Sequence, residues 1–137
     1  MKWKTVIACA GLLLVSAGFG FMLYGAHGHT FGADITLGDS ARFSESELEC
    51  AAKTVKDTFR SEFQSCQLQS LTYDEARSDR CKSWPYDTPE TIVLFSDYIG
   101  IPSPFLDETV AGQQTNWNWI LRQDGDGKWE MLTWGYG

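Results

Sequence analysis

The chain predicts an α+β domain: one long amphipathic helix packed on a curved antiparallel sheet of about four strands, preceded by an N-terminal apolar segment. Three observations carry this. A narrow stripe of Leu48, Ala51, Ala52, Val55, Phe59 and Phe63 recurs at helical spacing. Stretches rich in β-branched and aromatic residues fill most of the chain after it. The run Asp124-Gly125-Asp126-Gly127 then marks a hairpin between the last two of those stretches. A helix laid across a sheet buries both apolar surfaces at once.

Residues 1–28 come first. Lys2 and Lys4 precede an uncharged run, Thr5 to Ala26, of 22 residues. A membrane-spanning helix needs about 20 residues, whereas the apolar region of a secretory signal peptide has about 7–15. Length therefore favours an uncleaved transmembrane helix, with secretion after cleavage near Gly28, before His29, as the alternative. Positive charge stays on the inner side of a membrane, so either outcome makes the remainder extracellular. Val6-Ile7-Ala8-Cys9 has the residue types of a lipoprotein cleavage box. Only four residues separate Lys4 from Cys9, too few for the apolar region such a box requires. A thiol among small apolar residues is the simpler reading of Cys9.

Residues 29–43 are Gly-rich and aperiodic and read as a linker. The domain proper is expected over 44–137. Ser44-Glu45-Ser46-Glu47 matches a capping box, which starts a helix running to about Gln64. Cys66 to Tyr73 reads as a strand ended by Asp74-Glu75, and Ala76 to Trp84 as a short helix or a loop ended by Trp84-Pro85. Thr91 to Ile99 is a strand. Residues 100–115, with Pro102, Pro104 and Gly112, read as a long loop. Asn116 to Gln123 and Lys128 to Tyr136 form the hairpin. A three-residue loop, Gly125-Asp126-Gly127, pairs Arg122 with Glu130 and gathers Trp117, Trp119, Leu121, Trp129 and Met131 on one face; a two-residue loop would split that set.

The run from Trp117 to Arg122, the Gly-containing turn, Lys128-Trp129-Glu130 and the end Trp134-Gly135-Tyr136-Gly137 resemble a family of small extracellular domains of Gram-positive bacteria. Leu71-Thr72-Tyr73-Asp74-Glu75 is similar to them as well. These domains are mostly of unknown function. The resemblance covers about Phe43 to Gly137 and implies a cystatin-like, or nuclear-transport-factor-2-like, fold. It implies no catalytic residues.

Charge and residue inventory bound the function. Of 137 residues, eleven are basic and eighteen acidic, a net charge of −7. Residues 34–137 hold nine of the bases and all of the acids, a balance of −9. Acidity of that size argues against nucleic-acid partners, which need concentrated Lys and Arg. His27 and His29 are the only histidines. The domain thus lacks the imidazole that Ser-His-Asp and Cys-His hydrolases use. No metal and no cofactor is expected: Cys50, Cys66 and Cys81 are scattered, and His27-x-His29 reads as solvated linker. Asp124-Gly125-Asp126-Gly127 fails as a calcium loop, because Lys128 and Gly135 occupy the fifth and twelfth positions.

Three candidate sites remain. Cys66 and Cys81 close a short loop and are the candidate disulfide, against the alternative of three reduced thiols. Phe105, Leu132 and Trp134 are the candidate patch for a partner or small ligand, with Leu132 and Trp134 expected on the outer sheet face. Asp97 is the candidate carboxylate base of an alternative reading, a small pocket enzyme of the isomerase or hydratase type. The leading expectation is a non-enzymatic binding module at the cell envelope, held to the membrane through residues 5–26, with an envelope protein or a small ligand as partner.

Overall fold

The computed structural model describes residues 25–101 and 111–136. The apolar run up to residue 24, Cys9 and the segment carrying Phe105 lie outside the described residues. Among the described residues no helix is long and apolar enough to cross a membrane. The elements run β1 (Asp34–Leu37), α1 (Glu45–Glu62), β2 (Cys66–Tyr73), α2 (Glu75–Cys81), β3 (Thr91–Gly100), β4 (Gly112–Gln123) and β5 (Trp129–Tyr136). The five strands form one sheet in sequence order.

The class is α+β, but the sheet differs from the expected one. It has five strands, and it is mixed, because β1 lies parallel to β2 while all other pairs are antiparallel. The extra strand comes from the segment expected as linker 29–43. Asp34-Ile35-Thr36-Leu37 alternates polar and apolar residues over only four positions, too short a run to stand out among the flanking glycines; main-chain bonding sets it against β2, from Asp34 opposite Ser70 to Leu37 opposite Tyr73. The pairing starts before β1, where the His29 N–H donates to the Cys66 carbonyl at 2.8 Å and the Leu68 N–H to the His29 carbonyl at 2.8 Å. The domain therefore begins well before residue 44.

Residues 25–28 are already tied into it. The Gly28 N–H donates to the Arg60 carbonyl at 3.0 Å, the Ser65 N–H to the His27 carbonyl at 3.2 Å, and the Ser65 hydroxyl to the Gly25 carbonyl at 2.9 Å. Gly28 is required here. A Cβ at this position would lie 2.2 Å from the Phe59 carbonyl oxygen, closer than any real contact.

Helix α1 starts with both halves of the capping box. The Glu47 N–H donates to the Ser44 hydroxyl at 3.2 Å, and the Ser44 N–H donates to the Glu47 carboxylate at 2.7 Å. Its apolar stripe, Leu48, Ala51, Ala52, Val55 and Phe59, is buried against the sheet. Ile92, Leu94, Tyr98, Trp117, Trp119 and Leu121 meet it from β3 and β4. Val93 and Phe95 alternate to the other face, where the Arg77 guanidinium of α2 lies 3.6 Å from the Phe95 ring centre. Helix α2 is capped by Asp74, whose carboxylate accepts from the Arg77 N–H at 2.7 Å. The Ser78 hydroxyl accepts from the Val93 N–H at 2.8 Å.

From its turn to the Leu121–Met131 pair, the C-terminal hairpin has the expected register. Arg122 stands opposite Glu130 with a 2.8 Å ion pair, and Gly127 closes the three-residue loop at φ +80°. The Asp124 carboxylate accepts from the Asp126 and Lys128 N–H groups at 2.8 and 2.9 Å, which gives that aspartate a turn role. Strand β4 begins at Gly112, four residues before the predicted Asn116, so part of the expected 100–115 loop is strand.

Candidate functional site

An irregularity in the hairpin decides where the candidate patch lies. Met131 pairs with Leu121 and Thr133 with Ile120, leaving Leu132 as an extra residue. Such a bulge reverses the alternation beyond it. Trp134 therefore does not join Leu132 on the outer face. It turns to the α1 face, with its ring centre 6.0 Å from Trp119 and 6.1 Å from Phe63. Strict alternation from Trp129 misses this, since nothing in the sequence announces the bulge.

Trp134 joins an aromatic cluster at one end of the sheet. Phe63, on the residue that ends α1, sits at its centre, with ring centres 5.1 Å from Trp119, 5.3 Å from Tyr98 and 5.9 Å from Trp117. Tyr98 and Trp117 face each other at 5.6 Å, and Tyr136 closes on Trp117 at 4.7 Å. Tilted and edge-on geometries of this kind are the favoured ones for aromatic pairs. The cluster is graded in exposure: Tyr98 and Trp119 are fully buried, whereas Trp134 is 38% and Tyr136 67% exposed. It has an inside and a rim.

The polar atoms inside are not equivalent. Trp119 Nε1 donates to the Ser96 hydroxyl at 2.8 Å, as Trp129 Nε1, at the other end of the sheet beside Phe43, donates to the Glu47 carbonyl at 2.8 Å. The Tyr98 hydroxyl and Trp117 Nε1, both buried, have no hydrogen-bond partner among the described residues. A buried donor without a partner costs about 1–3 kcal/mol, and here two such donors lie on touching rings. Burial also pushes the Tyr98 phenol well above its ordinary pKa, with the nearby Cys66 thiol and Tyr136 adding to the rise. Tyr98 therefore stays a neutral donor.

Cys66 lies beside this cluster. Burial holds its thiol up at about 11. The predicted Cys66–Cys81 disulfide is absent: Cys50, Cys66 and Cys81 are all free. Cys66 belongs to the core beneath α1, while Cys81 lies exposed at the end of α2. Short sequence separation brought the two together on paper, and the strand turned one of them inward.

Asp97 is on the wrong face for a base in this site. Ser96 and Tyr98 point beneath α1, so Asp97 between them points to the α2 side. Its carboxylate accepts from the Asn116 N–H at 2.9 Å, and its own N–H donates to the Ser70 hydroxyl at 3.2 Å. It holds Asn116, which sits at φ +56°, where β3 and β4 slip register. Asp97 has a structural task.

Two other hollows have different linings. A cavity of about 330 Å³ between the end of β1 and the start of α1 is bordered by Ser40 and Ser44. Ser40 bonds Glu75, and Ser44 caps α1, so both hydroxyls serve the fold. A groove of about 490 Å³ is lined by residues 28–32 with Lys56 and Arg60.

Compared with protein-family models, with curated proteins and with solved structures, the chain gives no match.

Proposed function

We propose that this protein is a membrane-anchored binding module of the cell envelope, and that it binds at the aromatic end of its sheet. The anchor is the apolar run 5–26, with Lys2 and Lys4 on the inner side and the domain outside. The tie between residues 25–28 and α1 supports an uncleaved chain, because a cut before His29 would remove the carbonyls of Gly25 and His27 that Ser65 holds.

The observation that carries the binding reading is the pair of buried, unpartnered donors, Tyr98 hydroxyl and Trp117 Nε1. The occupant they fit is a small apolar or aromatic molecule, or a side chain of a partner, presenting a carbonyl or carboxylate oxygen between stacked rings. The test is affinity selection. The full chain in mild detergent, and a Tyr98→Phe, Trp117→Phe variant, are each exposed to a small-molecule extract of cells, and retained compounds are read by mass spectrometry. The expected result is a chemically uniform set of acceptor-bearing apolar compounds held by the native chain alone. Equal retention by both proteins contradicts the assignment.

A further inference from the structure

The end of the sheet that carries the aromatic cluster is also the end at which the apolar run arrives. Strand β2 starts there at Cys66, β3 ends there at Gly100, β4 starts there at Gly112, and Tyr136 of β5 pairs with Trp117 close by. The parallel pairing of His29 with Gln67 brings residues 28–32 to the same end. Ala26 closes the apolar run, and Gly28 is pressed against the Phe59 and Phe63 carbonyls. Bilayer and domain are thus separated by almost no free chain.

What surrounds that point suits a lipid surface. Phe31 is 96% exposed beside a groove of about 490 Å³ whose lining includes Lys56, Arg60 and no acidic residue. Lys56 has no ion pair among the described residues, and Arg60 shares one, with Asp57 at 2.8 Å. In a domain of charge −9, the groove lining is locally basic, with Asp57 standing just outside it against Arg60. Trp134 and Tyr136 extend the exposed aromatic rim at the same end. Aromatic side chains with polar handles sit at headgroup level, and Lys and Arg beside them attract anionic lipid.

We infer that this end of the domain docks on the bilayer, with the groove of residues 28–32, Lys56 and Arg60 taking the phosphate of an anionic headgroup and with Phe31, Trp134 and Tyr136 in the interfacial layer. The inference rests on the anchored reading above. A consequence is that an occupant partitioned into the interface reaches the aromatic cluster without crossing bulk water.

The test is photocrosslinking of the full chain with p-benzoylphenylalanine placed at Phe31, an exposed position whose replacement leaves the core intact. A second site at Asp126, in the hairpin turn at the far end, is the control. The chain is reconstituted into phosphatidylcholine vesicles with and without phosphatidylglycerol, and adducts are identified by mass. The expected result is a lipid adduct at position 31, enriched by phosphatidylglycerol, and none at position 126. In a Lys56→Ala, Arg60→Ala chain the yield falls to that of neutral vesicles. Adducts to another protein copy, or no lipid adduct, from a chain that resists alkaline extraction overturn the docking and leave the anchor standing. A yield indifferent to phosphatidylglycerol, or to the double substitution, overturns the headgroup assignment. Release of the chain by alkali overturns the anchor itself, and the docking with it.

Discussion

Replacing Tyr98 by Phe removes one oxygen from the inside of the aromatic cluster and nothing else. The ring contacts survive: Phe59 at 5.7 Å, Phe63 at 5.3 Å and Trp117 at 5.6 Å do not involve the hydroxyl. In most buried tyrosines this change costs stability, because a hydrogen bond worth about 0.5–1.5 kcal/mol is lost. Here the hydroxyl is fully buried and has no partner among the described residues, so the folded state is relieved of a desolvation cost of about 1–3 kcal/mol. The small void left by the oxygen offsets part of this gain. The expected net effect is stabilisation by about 1–2 kcal/mol. For a domain of this size that raises the unfolding midpoint by roughly 4–8 °C per kcal/mol. The assay is thermal unfolding of the full chain in mild detergent, followed by near-ultraviolet circular dichroism of the buried aromatics. The same substitution weakens binding of any acceptor-bearing occupant by about 3- to 10-fold, since one neutral hydrogen bond is lost. Stability up and binding down is the signature of a site whose donors are kept for a ligand. A midpoint lowered by several degrees refutes the reasoning, because it means that the hydroxyl is already satisfied in the free protein.

Other substitutions and conditions test the fold that holds the site. Ser44→Ala removes one half of the capping box and lowers stability by about 1 kcal/mol, read as a shift in the urea midpoint. Gly28→Ala drives a methyl group into the Phe59 carbonyl and detaches residues 25–28 from α1; limited proteolysis between residues 26 and 33 accelerates, while α1 stays protected. Four carboxylates, Glu47, Asp57, Asp79 and Asp124, are held below their ordinary pKa and together set the acid limit. Glu47 is held below its ordinary pKa first by the Ser44 N–H, and Asp124 first by the Lys128 N–H. A lowered folded pKa means stability that is complete above the unfolded value, about 4, and is lost as pH falls through the folded one. The unfolding midpoint is therefore flat down to about pH 5 and falls below about pH 4, and Glu47→Gln lessens that fall. Iodoacetamide at pH 8 modifies Cys50 and Cys81 and spares Cys66, whose buried thiol titrates near 11; peptide mapping reads all three sites.

Local signals carried much of the architecture. Ser44 and Glu47 announced the start of α1, and the spacing of Leu48, Val55 and Phe59 named its buried face, because helix capping and amphipathic burial are decided within a few turns. Gly127 and the Arg122–Glu130 pair fixed the hairpin register for the same reason. Strand β1 was legible only faintly: Asp34-Ile35-Thr36-Leu37 alternates as a strand does, but four residues between Gly32 and Gly38 are too few to separate a strand from a linker. The bulge at Leu132 was equally silent, and it moved Trp134 to the opposite face. Of the candidate patch, Trp134 belongs to the aromatic site, Leu132 is the bulge residue, and Phe105 lies outside the described residues. Tyr98 and Trp117 stood in the sequence as two aromatics among many. Their distinction is a missing partner, a property of three-dimensional packing that residue type and spacing do not encode.

The central claim, that the aromatic end holds donors awaiting an acceptor, is tested most directly by the indole N–H resonances of the full chain in detergent or nanodiscs. Trp119 and Trp129 already donate to Ser96 and Glu47, so their signals serve as internal references. The account predicts that the Trp117 indole proton lies upfield of both in the free protein. Titration with an aryl amide such as benzamide then moves it downfield while the two references hold still. A Trp117 signal already at the bonded position, or one that never responds to an acceptor-bearing probe, contradicts the claim.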